Sequence, residues 1–155
     1  MSSVIDQTIE TYGIDNWGKD YFGVNRKGNL VVRSPENENL TADVKEIIDD
    51  LRKRGVNTPV LLRFPQLIFG QIRKLQSSFR KAIKEFEYEG GHLCVYPMKV
   101  NQNRAVIEEY LKEGSRYNFG LEAGSKAEAY AALGLEQSKD SLLVLNGFKD
   151  RDFVR

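Results

Sequence analysis

The 155-residue chain is long enough for one domain with a sizeable core and short of what two domains need. Apolar residues make up 41% and charged residues 29%, the balance of a folded soluble protein rather than a disordered or fibrous one. Lysine and arginine number 23 against 22 acids, so charge favours neither nucleic acid nor an anionic membrane as a partner. The single cysteine excludes an internal disulfide framework and a cysteine-rich zinc site.

No apolar run approaches the roughly 20 residues of a membrane helix, and no charged-then-apolar leader with a cleavage site follows Met1. Together these predict a cytoplasmic protein. Residues 1–11 are polar and weakly patterned, which predicts a loosely ordered start. In "YFGVNRKGNLVVR" two β-prone runs flank Asn25-Arg26-Lys27-Gly28, a hairpin signal with Gly28 suited to positive φ. Trp17, Tyr21 and Phe22 read as its packing residues. "SPENEN" is a polar connector, and "TADVKEIIDDLRKRG" sets Val44, Ile47, Ile48 and Leu51 at helical spacing before the stop at Gly55.

From here strand and helix patterns alternate. "PVLLRF" (59–64) reads as a buried strand. The long helical pattern after it, 65–86, carries Ile68, Ile72, Leu75, Phe79, Ala82 and Phe86 as one apolar stripe. Gly90-Gly91 breaks that pattern. "HLCVYP" is the second strand, and the helix from Asn101 or Gln102 to Glu113 follows, stopped by Gly114. "YNFGLE" is the third strand, followed by a helix from Ser125 to Leu133. "SLLVLN" is the fourth, and Gly147 to Arg155 reads as the opening of another helix. The alternation predicts an α/β fold of about four βα units with parallel strands, preceded by a β-hairpin and helix. Four units make an open sheet or part of a (β/α)8 barrel.

In such folds the chemistry gathers at the C-terminal ends of the strands. Lys99 stands at one of these ends, after Val95-Tyr96-Pro97-Met98. An amine fixed between strand walls is desolvated, which disfavours its charged form and suits it to attack carbonyls, as in a Schiff base with pyridoxal phosphate. The competing reading is an exposed first residue after a strand, and spacing alone does not choose between them. Arg63 reads equally as a floor ion pair or a site cation, and Asn101 and Asn103 as starts of the next helix. His92 has no nucleophile motif beside it, and Cys94 reads as a buried, inert thiol.

The string Tyr96-Pro97-Met98-Lys99-Val100-Asn101 resembles the cofactor-attachment motif of the alanine-racemase-like, fold-type III decarboxylases. Further, "YGIDNWGKDYFGVNRKGNLVVR", "RFPQLIFGQIRKLQSSFRKAI", "EGGHLCVYPMKVNQNR", "YNFGLEAGSKAE" and "NGFKDRDFVR" are similar, in order, to the N-terminal portion of the biosynthetic arginine decarboxylase family. The resemblance implies an N-terminal extension over 1–55 and the first half of a pyridoxal phosphate-binding (β/α)8 barrel over 56–155, with the cofactor on Lys99. It also implies conversion of L-arginine to agmatine and CO2 for polyamine and spermidine synthesis, Mg2+ as a second cofactor, and a homo-oligomer.

By the same resemblance Glu122 is an acid beside the lysine that serves both catalysis and cofactor binding. Tyr96, which positions the lysine, and Glu128, a second nearby acid, are expected to be cofactor-binding as well. For Glu128 a local reading competes, because Ser125-Lys126-Ala127-Glu128 is a capping box. Family members continue well beyond the point matched by Arg155, so the expectation is a portion of the enzyme that is inactive alone. The alternative is a free-standing half-barrel that pairs with itself or with another subunit. A racemase or a non-catalytic cofactor carrier would share the lysine but not the flanking strings.

Overall fold

In the computed structural model, which describes residues 3–37 and 39–154, the chain divides into two units, Met1–Leu67 and Ile68–Arg155. What the sequence predicts for Met1, Ser2, Glu38 and Arg155 lies outside the described residues.

The first unit begins with helix α1 (Val4–Thr11), where a loose start was expected. Ser3 Oγ accepts from the Asp6 N–H at 3.2 Å, and Asp6 Oδ2 accepts from the Ser3 N–H at 2.8 Å. This reciprocal cap satisfies two otherwise orphaned donors and outweighs the weak apolar pattern. A short helix α2 (Ile14–Gly18) leads into strands β1 (Phe22–Val24) and β2 (Leu30–Arg33), which form the expected antiparallel hairpin. Gly28 adopts φ +79° in its turn, and Asn25 Oδ1 accepts from the N–H groups of Lys27 and Asn29.

A further strand, β3 (Thr41–Asp43), pairs antiparallel with β2 and runs directly into helix α3 (Val44–Lys53). Asp43 makes that junction. Its Oδ2 accepts from the Asn25 and Asn29 side-chain amides, and its Oδ1 caps α3 through the Glu46 N–H at 3.1 Å. Ile14, Val31 and Val32 are buried. Trp17 departs from its expected role: 53% exposed, it touches Phe22 with one face and donates Nε1–H to Tyr12 O.

Residues 59–64 join neither sheet, so three parallel strands are paired where the sequence predicts about four. The segment keeps a strand's alternation, with Val60, Leu62 and Phe64 half-buried and Leu61 and Arg63 exposed. Burial patterning is thus strand-like without a ladder. The prolines at 59 and 65 have no N–H to offer one at either end.

Helix α4 (Pro65–Glu85) carries the unit boundary in its first turn. In the second unit the strands β4 (Val95–Pro97), β5 (Gly120–Ala123) and β6 (Leu143–Leu145) lie side by side in that order, all parallel. Helix α5 (Arg104–Gly114) connects the first pair and α6 (Lys126–Leu133) the second. The last helix, α7, spans Arg151–Val154. Each crossover therefore returns the chain to the same end of the sheet.

The core joins Ile72 of α4 to Met98, Ile107, Tyr110, Leu111, Phe119, Leu121 and Ala132. Phe119, Ile107 and Leu121 are the largest fully buried side chains, each worth about 1.5–3 kcal/mol of burial. The α4 stripe is only partly used: Ile72 is buried and Ile68 packs on the core, whereas Leu75, Phe79 and Phe86 are exposed and Gln76 is buried instead. The His92 ring stacks on Phe79 at 3.7 Å and its Nδ1 lies 3.1 Å from Gln76 Oε1, which explains the buried amide. Cys94 is half-buried against the core.

Candidate functional site

Parallel pairing sets Pro97 opposite Glu122 and Glu122 opposite Val144, so the segments leaving β4, β5 and β6 emerge at one end. Lys99, Glu122, Glu128 and Asp150 all belong to these segments or to the helix turns that follow them. The sheet closes tightly here. Gly147, at φ +82°, lies against Gly124 O, where any side chain would collide, and the Asn146 N–H donates to Ala123 O at 2.8 Å.

Lys99 is the middle residue of a 3-10 turn, Met98–Val100. Met98, 2% exposed, takes the inward position, which turns Lys99 out to the surface. The expectation of an amine desolvated between strand walls is therefore not met. No hydrogen bond or ion pair reaches Lys99 from the described residues.

The backbone around Lys99 is well held. Tyr96 packs its ring on Tyr110 at 4.7 Å and donates its hydroxyl to Asn101 O at 3.2 Å. Burial pushes the Tyr96 phenol up, partly offset by that bond, so it stays a donor at neutral pH. Asn101 Oδ1 accepts from the Asn103 N–H, and Asn103 Oδ1 caps α5 through the Ala105 N–H at 3.1 Å, as its position in the sequence predicts.

Glu122 is buried, at 6% exposure, and no hydrogen bond reaches its carboxylate from the described residues. Its oxygens are not among the buried side-chain atoms that lack any partner, which among the described residues are Tyr110 Oη and Gln137 Oε1. Glu128 lies close by. A Cβ built on Gly124 would stand 3.5 Å from Glu128 Oε2 and 4.0 Å from Glu122 Oε1, so the space over that glycine is lined by two carboxylates.

Glu128 makes its bonds both within its own turn and to the preceding connection. Ser125 Oγ caps α6 by accepting the Glu128 N–H at 3.2 Å. The return bond goes one residue further back than a capping box requires: Glu128 Oε2 accepts from the Gly124 N–H at 2.7 Å. Its other oxygen accepts from Gln102 Nε2 at 2.8 Å. Lys126 Nζ meets Asp150 Oδ2 at 2.8 Å and holds that carboxyl below the usual aspartate range, while Asp150 Oδ1 accepts from the Phe153 N–H. Gln102, Lys126 and Asp150 escape the sequence reading because their partners lie 24 to 26 residues away. Arg63, which belongs to the first unit, is exposed. A groove of about 630 Å3 between α5 and residues 134–138 is lined by none of these side chains except through helix neighbours such as Arg104.

Residues 69–155 match the family model described as pyridoxal-dependent decarboxylase, pyridoxal binding domain. The chain belongs to the pyridoxal-dependent decarboxylase family. Within it, the chain is 42% identical over 150 residues to the biosynthetic arginine decarboxylase of Bacteroides thetaiotaomicron and 41% identical to that of Phocaeicola vulgatus. In each case 97% of this chain and 24% of the relative are covered. The crystal structure of the biosynthetic arginine decarboxylase from Campylobacter jejuni superposes with a TM-score of 0.82 at 40% identity, over 92% of this chain and 23% of that one. The chain thus spans about a quarter of the length of the relatives it matches. The expected α/β family fold is borne out. Among the described residues no helix is long and apolar enough to cross a membrane.

Proposed function

We propose that this chain carries the pyridoxal phosphate attachment site of an arginine decarboxylase, which converts L-arginine to agmatine and CO2 for polyamine and spermidine synthesis. The observation that carries the reading is the register of Pro97 opposite Glu122, which brings the Lys99 turn and a buried carboxylate to the same end of neighbouring strands. The residues present fit the aldehyde end of the cofactor: an amine without a competing partner, and open room over Gly124 lined by Glu122 and Glu128.

When bound, pyridoxal phosphate supplies an electron-withdrawing ring that takes up the electron pair left as CO2 departs. The protein's own part is positioning and charge. Lys99 is the attaching amine. Glu122, at the end of the neighbouring strand, would accept an N–H from the Lys99 ammonium and so favour a proton at Nζ when the amine is free. Tyr96 keeps the turn in place through Asn101, and Glu128 orders the neighbouring one.

Similarity to biosynthetic arginine decarboxylases along 97% of the chain supports L-arginine as substrate. Residues 1–55 are then an N-terminal extension and 56–155 the first half of a (β/α)8 barrel. The quarter-length coverage supports a portion that is inactive by itself; the cytoplasmic homo-oligomer without nucleic-acid or membrane partners rests on the family resemblance and the near-balanced charge alone. The magnesium implied by the resemblance is not matched here, since no cluster of three or more His, Cys, Asp or Glu occurs among the described residues.

A second reading, a self-pairing half-barrel, draws on the open outer strands β4 and β6 and on Phe148, 90% exposed beyond β6. Borohydride reduction in the presence of pyridoxal phosphate, followed by peptide mapping, tests the first reading. Label on Lys99 supports it, and label confined to other lysines removes it. Light scattering on the isolated chain tests the second: a discrete folded dimer supports it, and a monomer or an undefined aggregate removes it.

A further inference from the structure

The Glu128 carboxylate ties together two turns that the chemistry needs in register. One oxygen holds the Gly124 N–H, two residues after Glu122, and the other holds the side chain of Gln102, three residues after Lys99. We propose that Gln102 is a positioning residue: by docking its amide on Glu128 it fixes the Lys99 turn against the end of β5 that bears Glu122. The proposal deepens the cofactor-attachment reading and rests on it.

The geometry suits a clamp rather than a chance surface contact. Met98 anchors this segment in the core, but its side-chain hydrogen bonds other than that of Gln102, Tyr96 to Asn101 and Asn103 to Ala105, stay within or next to the β4–α5 connection. Among the described residues the Gln102 bond is the side-chain hydrogen bond that links that connection to the β5–α6 turn. An amide suits the task because it donates to the carboxylate without neutralising it, which leaves the acidic lining over Gly124 intact. A lysine in its place would bring a second amine beside Lys99 to compete for the aldehyde. A glutamate would set two carboxylates against each other and push the turns apart.

The test uses the full chain with two independent readouts: hydrogen exchange of the peptide spanning 99–103, and borohydride trapping of pyridoxal phosphate on Lys99. Gln102→Glu is expected to speed exchange in 99–103 and to lower trapping at Lys99 about fivefold, the scale of one lost solvent-exposed hydrogen bond. The exchanged pair Gln102→Glu with Glu128→Gln rebuilds an amide–carboxylate contact and leaves a carbonyl oxygen for the Gly124 N–H, so it should return exchange to the original rate. Unchanged exchange in Gln102→Glu overturns the clamp. Faster exchange with unchanged trapping overturns the positioning role. Absence of trapping on Lys99 in the unsubstituted chain would instead defeat the cofactor-attachment reading, while the exchange data still decide whether the clamp exists.

Discussion

Arg73 Nε lies 2.6 Å from Glu113 Oε1, and the Glu113 side chain is almost wholly buried between α4 and α5. Arg116 approaches the other oxygen at 3.8 Å from the exposed side. A carboxylate in this position needs its cation, because its own hydration is gone. Arg73→Ala should therefore lower stability by about 2–3 kcal/mol, toward the low end for a broken buried pair because Arg116 remains. Urea unfolding measures it. A change within the range of ordinary surface substitutions would show that Arg116 or water suffices.

Gly120 opens β5 where the backbone of Leu142 comes against it, and a methyl group there would overlap the Leu142 carbonyl. The obstacle is backbone, so no side chain can swing aside. Gly120→Ala should cost about 3 kcal/mol or more and break the β5–β6 pairing. Circular dichroism and the thermal midpoint are the checks; a midpoint equal to the unsubstituted chain's would contradict the close approach.

Asp150 is held below the ordinary aspartate value of 3.8 first by its bond to Lys126 and then by the Phe153 N–H. A carboxyl whose folded value is depressed contributes its stabilisation in full above the unfolded value and loses it as pH falls through the folded one. The tie between the start of α6 and the cap of α7 is thus intact at neutral pH and released only below 3.8. Lys126→Ala should move the Asp150 titration upward, measured by carboxyl NMR. An unmoved titration would assign the shift to the helix cap alone.

Lys99 and Glu122 should separate binding from stability. Lys99 is exposed and without partners, so Lys99→Ala should abolish cofactor trapping yet change unfolding free energy by less than about 0.5 kcal/mol. Glu122 makes no hydrogen bond among the described residues, so Glu122→Gln should weaken trapping while changing unfolding free energy by less than about 0.5 kcal/mol. A destabilised Glu122→Gln would mean that the carboxylate has a structural partner after all.

Much of the α/β order was legible because it is written in local terms. The spacing of Ile68 and Ile72, the caps at Asn103 and Ser125 and the stop after Leu133 each depend on residues within one or two helical turns. The hairpin around Gly28 is local in the same way. Lys99 was legible as a strand-exit lysine, and Glu122 as an acid at the next strand's end.

Tertiary structure decided the rest. Residues 59–64 have a strand's alternation, but pairing depends on a neighbouring backbone that no local pattern specifies. Phe79 and Phe86 continue a helical stripe, yet the stripe is covered only where other elements reach it, and Gln76 is buried because His92 arrives beside it. Lys99 faces outward because Met98 fills the core, and Glu128 bonds Gln102 rather than only its own cap. Periodicity and capping are set by neighbours along the chain, whereas burial of a charge and the choice of a hydrogen-bond partner are set by groups brought close only when strands pair.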